Sequence, residues 1–462
     1  MKKKTAKGNA KTDYKKFIND HLIQILGLPI KENNVKEVKT DIPTKGPITY
    51  IPEKKTLYFS DYNKALFYIN GIQSELTEEN LRVARDIIQI YYSIARYKFD
   101  GGGRSIHNRY PSDAMRLKSY ENAVQEGICR WISGGLNPNI TTLLQALEKW
   151  SVKTYEGKKV TFAFIINPEE ESTFTAFHDQ KWLDFLTSDY AATLTDCIHS
   201  AIMLDKNCNF VRYISLTEGN KSLDYSLDGY LPYRFAGIIQ NYVQNKAIGI
   251  FLLINGDILL SKNGEIRFIR RNLKWLNSSF GAFKNAIKNL VKSDTLQKAI
   301  YASVLDVSFA HTGGIIAIVK DIDKLTKPED KILSDADYLQ TSASIDEIAK
   351  SIKKLNPSVT KKETKKILLK RAALSALIGD NSFSTLDRKL RTELISMDGA
   401  CIIDTEGNIC SAGAIIKNDS GSSEGGRGAA AKKLSRYGIA IKISTDGYID
   451  VYENKKARFS IK

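Results

Sequence analysis

The sequence predicts a mixed α/β protein of the α+β type, and three observations predict it. Apolar residues at helical spacing between Leu76 and Tyr97, after the capping residues Thr77-Glu-Glu-Asn, indicate a long amphipathic helix. The run from Lys159 to Ile166 is rich in β-branched and aromatic residues, which is typical of a buried strand. The dipeptides Asn255-Gly256 and Asn263-Gly264 favour tight hairpin turns between the apolar runs that flank them.

Length and composition limit the class of protein. The chain has 462 residues, which at roughly 100–200 residues per domain suggests two to four domains. Hydrophobic residues make up 42% and charged residues 26%, which excludes disorder, collagen and low complexity for most of the length. The longest apolar runs, 247–254 and 313–319, fall short of the ~20 residues that span a bilayer. The basic start lacks the apolar core of a secretory signal, so we expect a cytosolic protein that does not bind membranes.

The cysteines and histidines predict neither a disulfide scaffold nor a zinc site. The five cysteines are an odd number and show no Cys-x-x-Cys spacing: Cys129, Cys197, Cys208, Cys401 and Cys410. His107, His178 and His199 are too scattered along the sequence to nominate a metal site, and the group His107, Arg104 and Arg109 is a weak candidate.

The net charge of +16 is concentrated in two segments. Residues 1–16 carry a net +6 and residues 361–371 a net +5. Charge in a terminus and on one helix face is typical of solvated surface, while a groove for nucleic acid and a site for a polyanionic substrate such as a nucleotide are the alternatives. No helix-turn-helix, zinc-finger or aromatic RNA-binding signature supports the nucleic-acid alternative.

The N-terminal part of the chain divides into two regions. Residues 1–47 form a lysine-rich segment, and we expect a globular α+β module from Ile48 to about residue 285, with a helix from about Pro111 to Trp131. Before that helix, the run Gly101-Gly-Gly-Arg-Ser offers backbone amides that can cradle a phosphate. It lacks the Lys-Ser/Thr of a phosphate-binding loop, so a flexible connector is the favoured interpretation.

The C-terminal region, residues 296–462, has a denser pattern of elements. A basic amphipathic helix is expected from Lys361 to Ile378, and residues 322–358 are interpreted as loop plus helix. The other expected elements are a helix over 296–309, a strand over 312–319, a strand, turn and strand over 397–416, a polar loop over 417–426, a small-residue helix over 429–434, and two strands over 439–444 and 448–452.

Two features of this region suggest phosphate chemistry. Asp398 begins an apolar strand beside Gly399, where a carboxylate next to a residue without a side chain can hold a divalent metal and leave room for a ligand. The segment Gly425-Gly426-Arg427 precedes small residues at a helix N-terminus, where amides, the helix dipole and a guanidinium favour an anion. A metal-binding carboxylate opposite such a cradle suits phosphoryl or nucleotidyl transfer. Separately, an ordinary turn and an ordinary connector also explain the two features.

Asp398-Gly399-Ala400-Cys-Ile-Ile-Asp resembles the Asp-Gly-Ala strand of bacterial diadenylate cyclase domains. The order of the neighbouring segments is similar to that family over residues 296–462. These segments are Thr312-Gly313-Gly-Ile-Ile-Ala, Gly425-Gly426-Arg427 with Ala430-Ala431, Leu434-Ser435, and the strands around Asp446-Gly447. The resemblance implies a mixed central sheet flanked by helices, which binds one ATP per domain. Residues 48–285 vaguely resemble the probable sensor region found ahead of some such domains, through Lys158-Lys159-Val-Thr-Phe and the segment 256–275.

The resemblance also implies an activity and a role for each matching residue. Two domains would face each other and condense two ATP into cyclic di-AMP, releasing pyrophosphate, with Mg²⁺ or Mn²⁺ as cofactor. Asp398 would ligate the metal and help activate the 3′-hydroxyl, and Arg427 would hold phosphates. The nucleotide pocket would be formed by Thr312, Gly313, Gly399, Ala400, Gly425 and Gly426.

Three positions depart from the family pattern. Gly428 and Ala429 replace a histidine and an arginine, and Arg436 replaces an acidic residue. A lost phosphate-side cation can cost on the order of 10²-fold in rate, and Lys417, Lys432, Lys433 or Arg436 are candidate replacements. The alternatives to a diadenylate cyclase are therefore a nucleotide-binding regulator with this fold and a synthase of a different cyclic nucleotide.

Overall fold

The computed structural model describes residues 12–461 apart from 29–34, 41, 45, 62–63, 73–75, 97–112, 136–137, 173–178, 217–230, 279, 327–331, 335–336, 340–343, 356–357 and 417–424. The glycine run 101–105 and its neighbours His107 and Arg109 lie outside this part of the chain, as does Lys417. The chain forms two compact units: an N-terminal unit of residues 1–229 and 234–279, and a C-terminal unit of residues 230–233 and 280–462. Both contain helices and sheets, and the fold is of the mixed α/β, α+β type.

The N-terminal unit contains a four-stranded sheet, a seven-stranded sheet and a two-stranded hairpin. Its strands are β1 (Lys36–Glu37), β2 (Ile48–Ile51), β3 (Thr56–Ser60), β4 (Ala65–Ile69), β5 (Thr154–Tyr155), β6 (Lys158–Lys159), β7 (Phe162–Ile166), β8 (Ser200–Leu204), β9 (Phe210–Ser215), β10 (Ile248–Leu252), β11 (Ile258–Lys262), β12 (Glu265–Arg271) and β13 (Lys274–Asn277). The sheet orders are β1-β4-β3-β2 and β13-β12-β11-β10-β7-β8-β9. In the larger sheet only β7 and β8 form a parallel pair.

Both predicted hairpin turns are confirmed. Asn255-Gly256 joins β10 to β11, and Asn263-Gly264 joins β11 to β12. Asn263 and Gly264 have φ of 55° and 74°, the left-handed geometry that matches the twist of a two-residue hairpin. The predicted strand that was expected to begin at Lys159 is divided, because Lys158 and Lys159 pair with β5 in a separate hairpin and β7 begins at Phe162.

The globular part of the chain begins earlier than expected. Tyr14 is 2% exposed and Phe17, Ile18 and Leu22 are fully buried in the hydrophobic core of the N-terminal unit. Phe17 stacks on Tyr91 with ring centroids 4.3 Å apart. The lysines that dominate the composition of this segment concealed these core residues, so the expectation of a separate basic segment up to residue 47 is wrong for residues 14–28.

The helices of the N-terminal unit cover its sheets. The two long helices predicted from apolar spacing are present as α1 (Glu78–Arg96) and α2 (Asp113–Ser133), and they pack against each other. The described part of the unit also contains the helices α3 (Pro138–Ser151), α4 (Asp179–Leu186) and α5 (Tyr233–Tyr242), whose first residue belongs to the C-terminal unit. Short helical segments lie at Ile18–Leu22, a π-helix, at Ile23–Ile25, and at Ala191–Thr193, a 3₁₀-helix.

The C-terminal unit is built around one six-stranded mixed sheet of order β16-β15-β14-β17-β18-β19. Its strands are β14 (Gly314–Val319), β15 (Ala400–Asp404), β16 (Ile409–Ala414), β17 (Gly438–Ile443), β18 (Ile449–Glu453) and β19 (Lys456–Ile461). Strands β14 and β15 are parallel and every other pair is antiparallel. The parallel strands β14 and β15 are apolar and buried along their length, apart from Asp404 at the end of β15, as expected for strands covered on both faces.

Seven helices of the described residues belong to this unit. They are α6 (Phe280–Ile287), α7 (Asp294–Ala310), α8 (Asp323–Thr326), α9 (Ile345–Leu355), α10 (Lys361–Ile378), α11 (Arg388–Ser396) and α12 (Gly425–Leu434). Helix α10 has the predicted bounds because Thr360 and Glu363 form a reciprocal capping box at its start. Helices α11 and α12 contact β14. The predicted helix, strand and hairpin order of residues 296–416 is confirmed, and β19 was not anticipated.

A buried ion pair joins two helices of the C-terminal unit. Asp306 on α7 accepts hydrogen bonds from Arg388 on α11, at 2.8 Å from Nε and 3.0 Å from Nη2. Asp306 also accepts the backbone N–H of Tyr233, and Arg388 donates to the carbonyl of Leu231. Burial raises the pKa of Asp306, and the hydrogen bonds and charge of Arg388 oppose that rise. The pair therefore holds residues 231–233 and the start of α11 in place.

No helix in the described part of the chain combines the length and apolar character needed to cross a bilayer. All five cysteines are free and buried.

Candidate functional site

Three chain segments meet at one edge of the C-terminal sheet. Because β14 and β15 are parallel, with Ile316 opposite Cys401, both strands begin at this edge. Strand β17 is antiparallel to β14 and ends here, with Ile443 opposite Gly314. The segments 311–313, 396–399 and 444–446 therefore lie side by side. We call these three segments, together with the start of α12, the sheet-edge site.

Hydrogen bonds connect the three segments. Thr312 Oγ1 lies 2.9 Å from Ser396 Oγ at the end of α11. His311 Nδ1 lies 2.9 Å from the carbonyl oxygen of Thr445. Thr312 is exposed, so its hydroxyl orients the edge and remains accessible to a ligand.

Arg427 and Gly313, two residues predicted to share a site, are brought together. A Cβ atom on Gly313 would lie 2.5 Å from Arg427 Nη1 and 3.2 Å from the backbone nitrogen of Thr445. Gly313 also has φ of 69°, a conformation that favours glycine. Glycine at position 313 therefore suits the backbone conformation and lets the guanidinium approach the start of β14 closely.

The guanidinium of Arg427 is half-buried and makes no hydrogen bond or ion pair with any residue that the structure describes. Most half-buried arginines in folded proteins are paired with an acidic group, because an unpaired desolvated charge is costly. A guanidinium without a partner among the described residues is suited to bind an anion through two parallel hydrogen bonds.

Helix α12 begins two residues before Arg427 and not after it. The expected start was Ala429, whereas the helix starts at Gly425, so Arg427 and Gly428 are in its first turn. The first amides of a helix have no intrahelical acceptor and carry the positive end of the dipole. Cβ atoms on Gly425 and Gly426 would meet no described atom within 4 Å, so the described residues leave space at these two Cβ positions.

Asp398 lies on the second segment of the edge, between the end of α11 and the start of β15. It is exposed, and its carboxylate makes no hydrogen bond or ion pair with the described residues. The neighbouring Gly399 has φ of 107°, and a Cβ there would lie 2.6 Å from both the Ala414 oxygen and the Gly413 carbonyl carbon. The glycine is therefore needed for close packing on β16, and the space beside it is filled by backbone, not by a ligand.

Ala400 is placed away from the open edge. Its side chain is fully buried in the core cluster that also contains Ile315 and Ile402. The structure therefore brings together Thr312, Gly313, Gly425, Gly426 and Arg427, with Asp398 on the adjacent strand end, and leaves Ala400 in the core.

Lys370 is a cation at this site that sequence reasoning missed. It projects from α10, and its Nζ donates a hydrogen bond of 2.9 Å to the carbonyl of Gly413. A Cβ on Gly413 would lie 2.9 Å from Lys370 Nζ and 3.1 Å from the backbone oxygen of Asp398, so the ammonium lies beside the Asp398 segment. Lys370 is exposed, and two of its three donors remain for a ligand.

The half-buried carboxyl group of Asp337 also lies near Lys370. Burial raises the pKa of Asp337, and the positive charge of Lys370 opposes this rise. Lys370 is therefore close enough to Asp337 for the two charges to interact.

The lysines proposed from the sequence as replacement cations lie elsewhere. Lys432 and Lys433 are in the last turn of α12, at the opposite end of the helix from Arg427. Lys432 Nζ lies 5.9 Å from the ring centroid of Tyr452, and Arg436 follows the helix on an exposed turn. Spacing along the sequence could not show which of these side chains points into the site, whereas the structure places Lys370 of α10 beside the Asp398 segment.

A divalent cation bound at Asp398 would need further oxygen ligands around it. Among the described residues, no group of three or more histidine, cysteine or acidic side chains converges. Mg²⁺ is commonly bound by one or two carboxylates together with substrate phosphates and water. A single exposed carboxylate opposite a phosphate cradle fits that pattern of binding, in which the substrate completes the metal site.

Comparison with models of known protein families gives no match for this chain. Comparison with curated proteins gives no match either.

Proposed function

We propose that the protein is a diadenylate cyclase, which condenses two ATP molecules into cyclic di-AMP and two pyrophosphates. The observation that carries the proposal is the Arg427 guanidinium against Gly313, with the Asp398 carboxylate on the adjacent parallel strand end, neither of which has a partner among the described residues. This arrangement adds to the order of motifs by which residues 296–462 resemble that family. Residues of the N-terminal unit would regulate the reaction in response to a signal.

The proposed reaction forms one phosphodiester bond per nucleotide. The 3′-oxygen of one ATP attacks the α-phosphorus of the other, the bond to pyrophosphate breaks, and the 3′-hydroxyl loses its proton. A second, reciprocal attack closes the ring, so two C-terminal units must face each other and self-association is part of the proposal. Arg427 and the first amides of α12 would hold phosphate oxygens, where charge develops. Asp398 would hold Mg²⁺ or Mn²⁺, which supplies Lewis-acid charge at the phosphates.

Lys370 offers an explanation for the missing cations at positions 428 and 429. Gly428 is buried within α12 and Ala429 has no charge, so the first turn of that helix provides one guanidinium only. An ammonium from α10 beside Asp398 would supply a second positive charge from another direction. The site would then have been rebuilt with a cation from a different helix.

Replacing Lys370 with glutamine is expected to lower kcat/KM for ATP roughly tenfold, the effect of removing one charge-assisted hydrogen bond. Lys366→Gln, an exposed lysine one turn earlier on α10, is the matched control and is expected to leave kcat/KM unchanged. Steady-state product formation measures both variants. Equal kcat/KM in Lys370→Gln and the control would remove Lys370 from the site.

Replacing Arg427 with glutamine is expected to lower the rate on the order of 10²-fold, because a preorganised donor to a developing charge contributes about that factor. Arg436→Gln, beyond the other end of α12 and exposed, serves as the control. Initial rates at saturating and limiting ATP separate kcat from KM. An unchanged rate in Arg427→Gln would contradict the assigned phosphate site.

The product identifies the reaction. The purified full chain is incubated with ATP and either Mg²⁺ or Mn²⁺, and nucleotides are separated by liquid chromatography and identified by mass. The expected result is cyclic di-AMP together with two pyrophosphates per product. A different cyclic adenylate would retain the attack of a 3′-oxygen on an α-phosphorus and change the product. ATP that binds and stays intact would support the second candidate.

That second candidate is a nucleotide-binding regulator with a disabled site. It is favoured by Gly428 and Ala429, because they replace the histidine and the arginine with which the resembled family binds phosphate in the first turn of this helix. It retains the phosphate cradle of Arg427 and the α12 amides. It predicts saturable ATP binding with no turnover in either metal.

A further inference from the structure

An open cleft lies at one end of the seven-stranded sheet in the N-terminal unit, where the parallel strands β7 and β8 begin. Its volume is about 420 Å³, within the 300–1,000 Å³ range of small-molecule sites. The β5–β6 hairpin, the loop before β8 and the edge strand β9 contribute its lining, which includes Tyr155, Lys158, Lys159, Leu194 and Tyr213.

The loop that forms one wall is held by internal hydrogen bonds. Thr195 Oγ1 accepts the backbone N–H of Ala163 in β7 at 2.9 Å, in a buried position. Asp196 Oδ1 accepts the N–H groups of Ile198, His199 and Ser200 at 2.8–3.1 Å. The wall is therefore formed without a ligand, which reduces the cost of ordering it on binding.

The same hydrogen bonds hold the acidic group in the wall in its charged form. Burial alone would raise the pKa of Asp196, but the hydrogen bonds from His199, Ile198 and Ser200 outweigh it and lower the pKa to about 2. The carboxylate is ionised and directed to its own loop. The other acidic group in the lining, Glu156, lies at the tip of the β5–β6 hairpin, where its φ is 49°.

Two aromatic rings are exposed in this one concave surface. Tyr155 is 53% exposed and Tyr213 is 51% exposed, and Leu194 beside them is 40% exposed. Single exposed apolar residues are ordinary, but several in one cleft indicate a binding surface. Tyrosine rings present flat faces on which a planar heterocycle stacks.

Two lysines accompany the rings. Lys158 and Lys159 are exposed, and their side chains make no hydrogen bond or ion pair with the described residues. Their ammonium groups have no ion-pair partner among the described residues, and the charged Asp196 carboxylate is hydrogen-bonded within its own loop. Lysine binds phosphate as a point charge, and the rings lie in the same lining as the charges.

We propose that this cleft binds a small planar aromatic phosphate of the nucleoside monophosphate class, with the base on the tyrosines and the phosphate on the lysines. The ligand would give the N-terminal unit a chemical signal to sense. The inference does not depend on the proposed function, because it rests on residues of the N-terminal unit alone.

The test titrates AMP, GMP, CMP and UMP into the full chain by isothermal calorimetry. The chain carries Arg427→Gln, so that binding at the sheet-edge site is weakened and the cleft is observed by itself. We expect at least one monophosphate to bind with 1:1 stoichiometry, and the affinity to fall with added salt. Adenosine lacks the phosphate, and ribose 5-phosphate lacks the base. Each is expected to bind at least tenfold more weakly than the best monophosphate.

Cleft variants and matched surface controls locate the binding. The double variant Lys158→Gln, Lys159→Gln and the variant Tyr213→Ala are each expected to weaken binding about tenfold or more. Lys246→Gln and Tyr190→Ala, which replace an exposed lysine and a tyrosine 87% exposed outside the cleft lining, are expected to bind like the parent. Circular dichroism checks that every variant is folded. No binding of any monophosphate at millimolar concentration, equal binding of ribose 5-phosphate, or equal effects of cleft and control variants would overturn the proposal.

Discussion

Replacing Asp398 with asparagine is expected to abolish formation of cyclic di-AMP, with a loss of roughly a thousandfold or more in rate. The carboxylate is the proposed ligand of the divalent cation, and the charge stabilisation that such a cation supplies is worth several kcal/mol, which corresponds to about that factor. Asparagine keeps the shape of the side chain and removes its charge. Because Asp398 is exposed and has no partner among the described residues, the fold is expected to be unchanged.

The matched control for this variant is Glu406→Gln. Glu406 is also an exposed carboxylate, but it lies in the turn at the other end of β15. Product is measured by mass after incubation with ATP and metal, and the thermal unfolding of both variants is compared with that of the parent. Cyclic di-AMP from Asp398→Asn at the parental rate would contradict the role given to this carboxylate.

Replacing Arg388 with alanine is expected to destabilise the C-terminal unit by about 3–5 kcal/mol, the usual cost of removing one partner of a buried ion pair. Asp306 is 7% exposed in its side chain and Arg388 is 12% exposed. The variant leaves Asp306 buried without its cation and also removes the donor to the carbonyl of Leu231. Since α11 continues into the Asp398 segment, activity is expected to fall together with stability.

Lys324→Ala provides the comparison, because Lys324 forms an exposed pair with Asp321 at 3.7 Å. Exposed pairs contribute roughly 0–1 kcal/mol. Pulse proteolysis across a urea series, with fragments assigned to the C-terminal unit by mass, reports its free energy of unfolding. Equal values for Arg388→Ala and Lys324→Ala would show that the buried pair is not a principal support of this unit.

Local patterns were sufficient to predict most elements of the fold. Helix α10 has the predicted bounds because its capping box is formed by two residues three positions apart in the sequence, Thr360 and Glu363. The hairpin at Asn263-Gly264 was predicted because those two residue types adopt the required positive φ. Each of these signals depends on neighbours in the sequence, so tertiary packing did not alter them.

Packing between distant segments could not be predicted in this way. The segment around Phe17 and Ile18 was set apart as basic, because its lysines are visible in the sequence and its contact with Tyr91 is not. The helix start at Gly425 was missed for a related reason. Two consecutive glycines are weak helix formers, and the packing of α12 against β14 and β17 stabilises a helix that propensity disfavours.

The candidate site was predicted in part. Asp398, Gly313 and Arg427 were chosen from motif order, and parallel pairing of β14 with β15 places their segments at one edge. Lys370 was missed because it precedes the Asp398 motif on a separate helix, and only the contact with Gly413 reveals its position. The role of Gly399 in packing on β16 was equally hidden, because the partner strand follows it in the sequence and returns through a hairpin.

Hydrogen exchange with and without ATP most directly tests a nucleotide site at this edge. The first amides of α12, at Gly426, Arg427 and Gly428, lack intrahelical acceptors and exchange readily when free. With ATP and Mg²⁺ or Mn²⁺, peptides that cover 425–430 and 311–315 are expected to become protected, and Arg427→Gln is expected to lose most of this protection. ATP that binds the chain and leaves the exchange of both peptides unchanged would contradict a phosphate site at this edge.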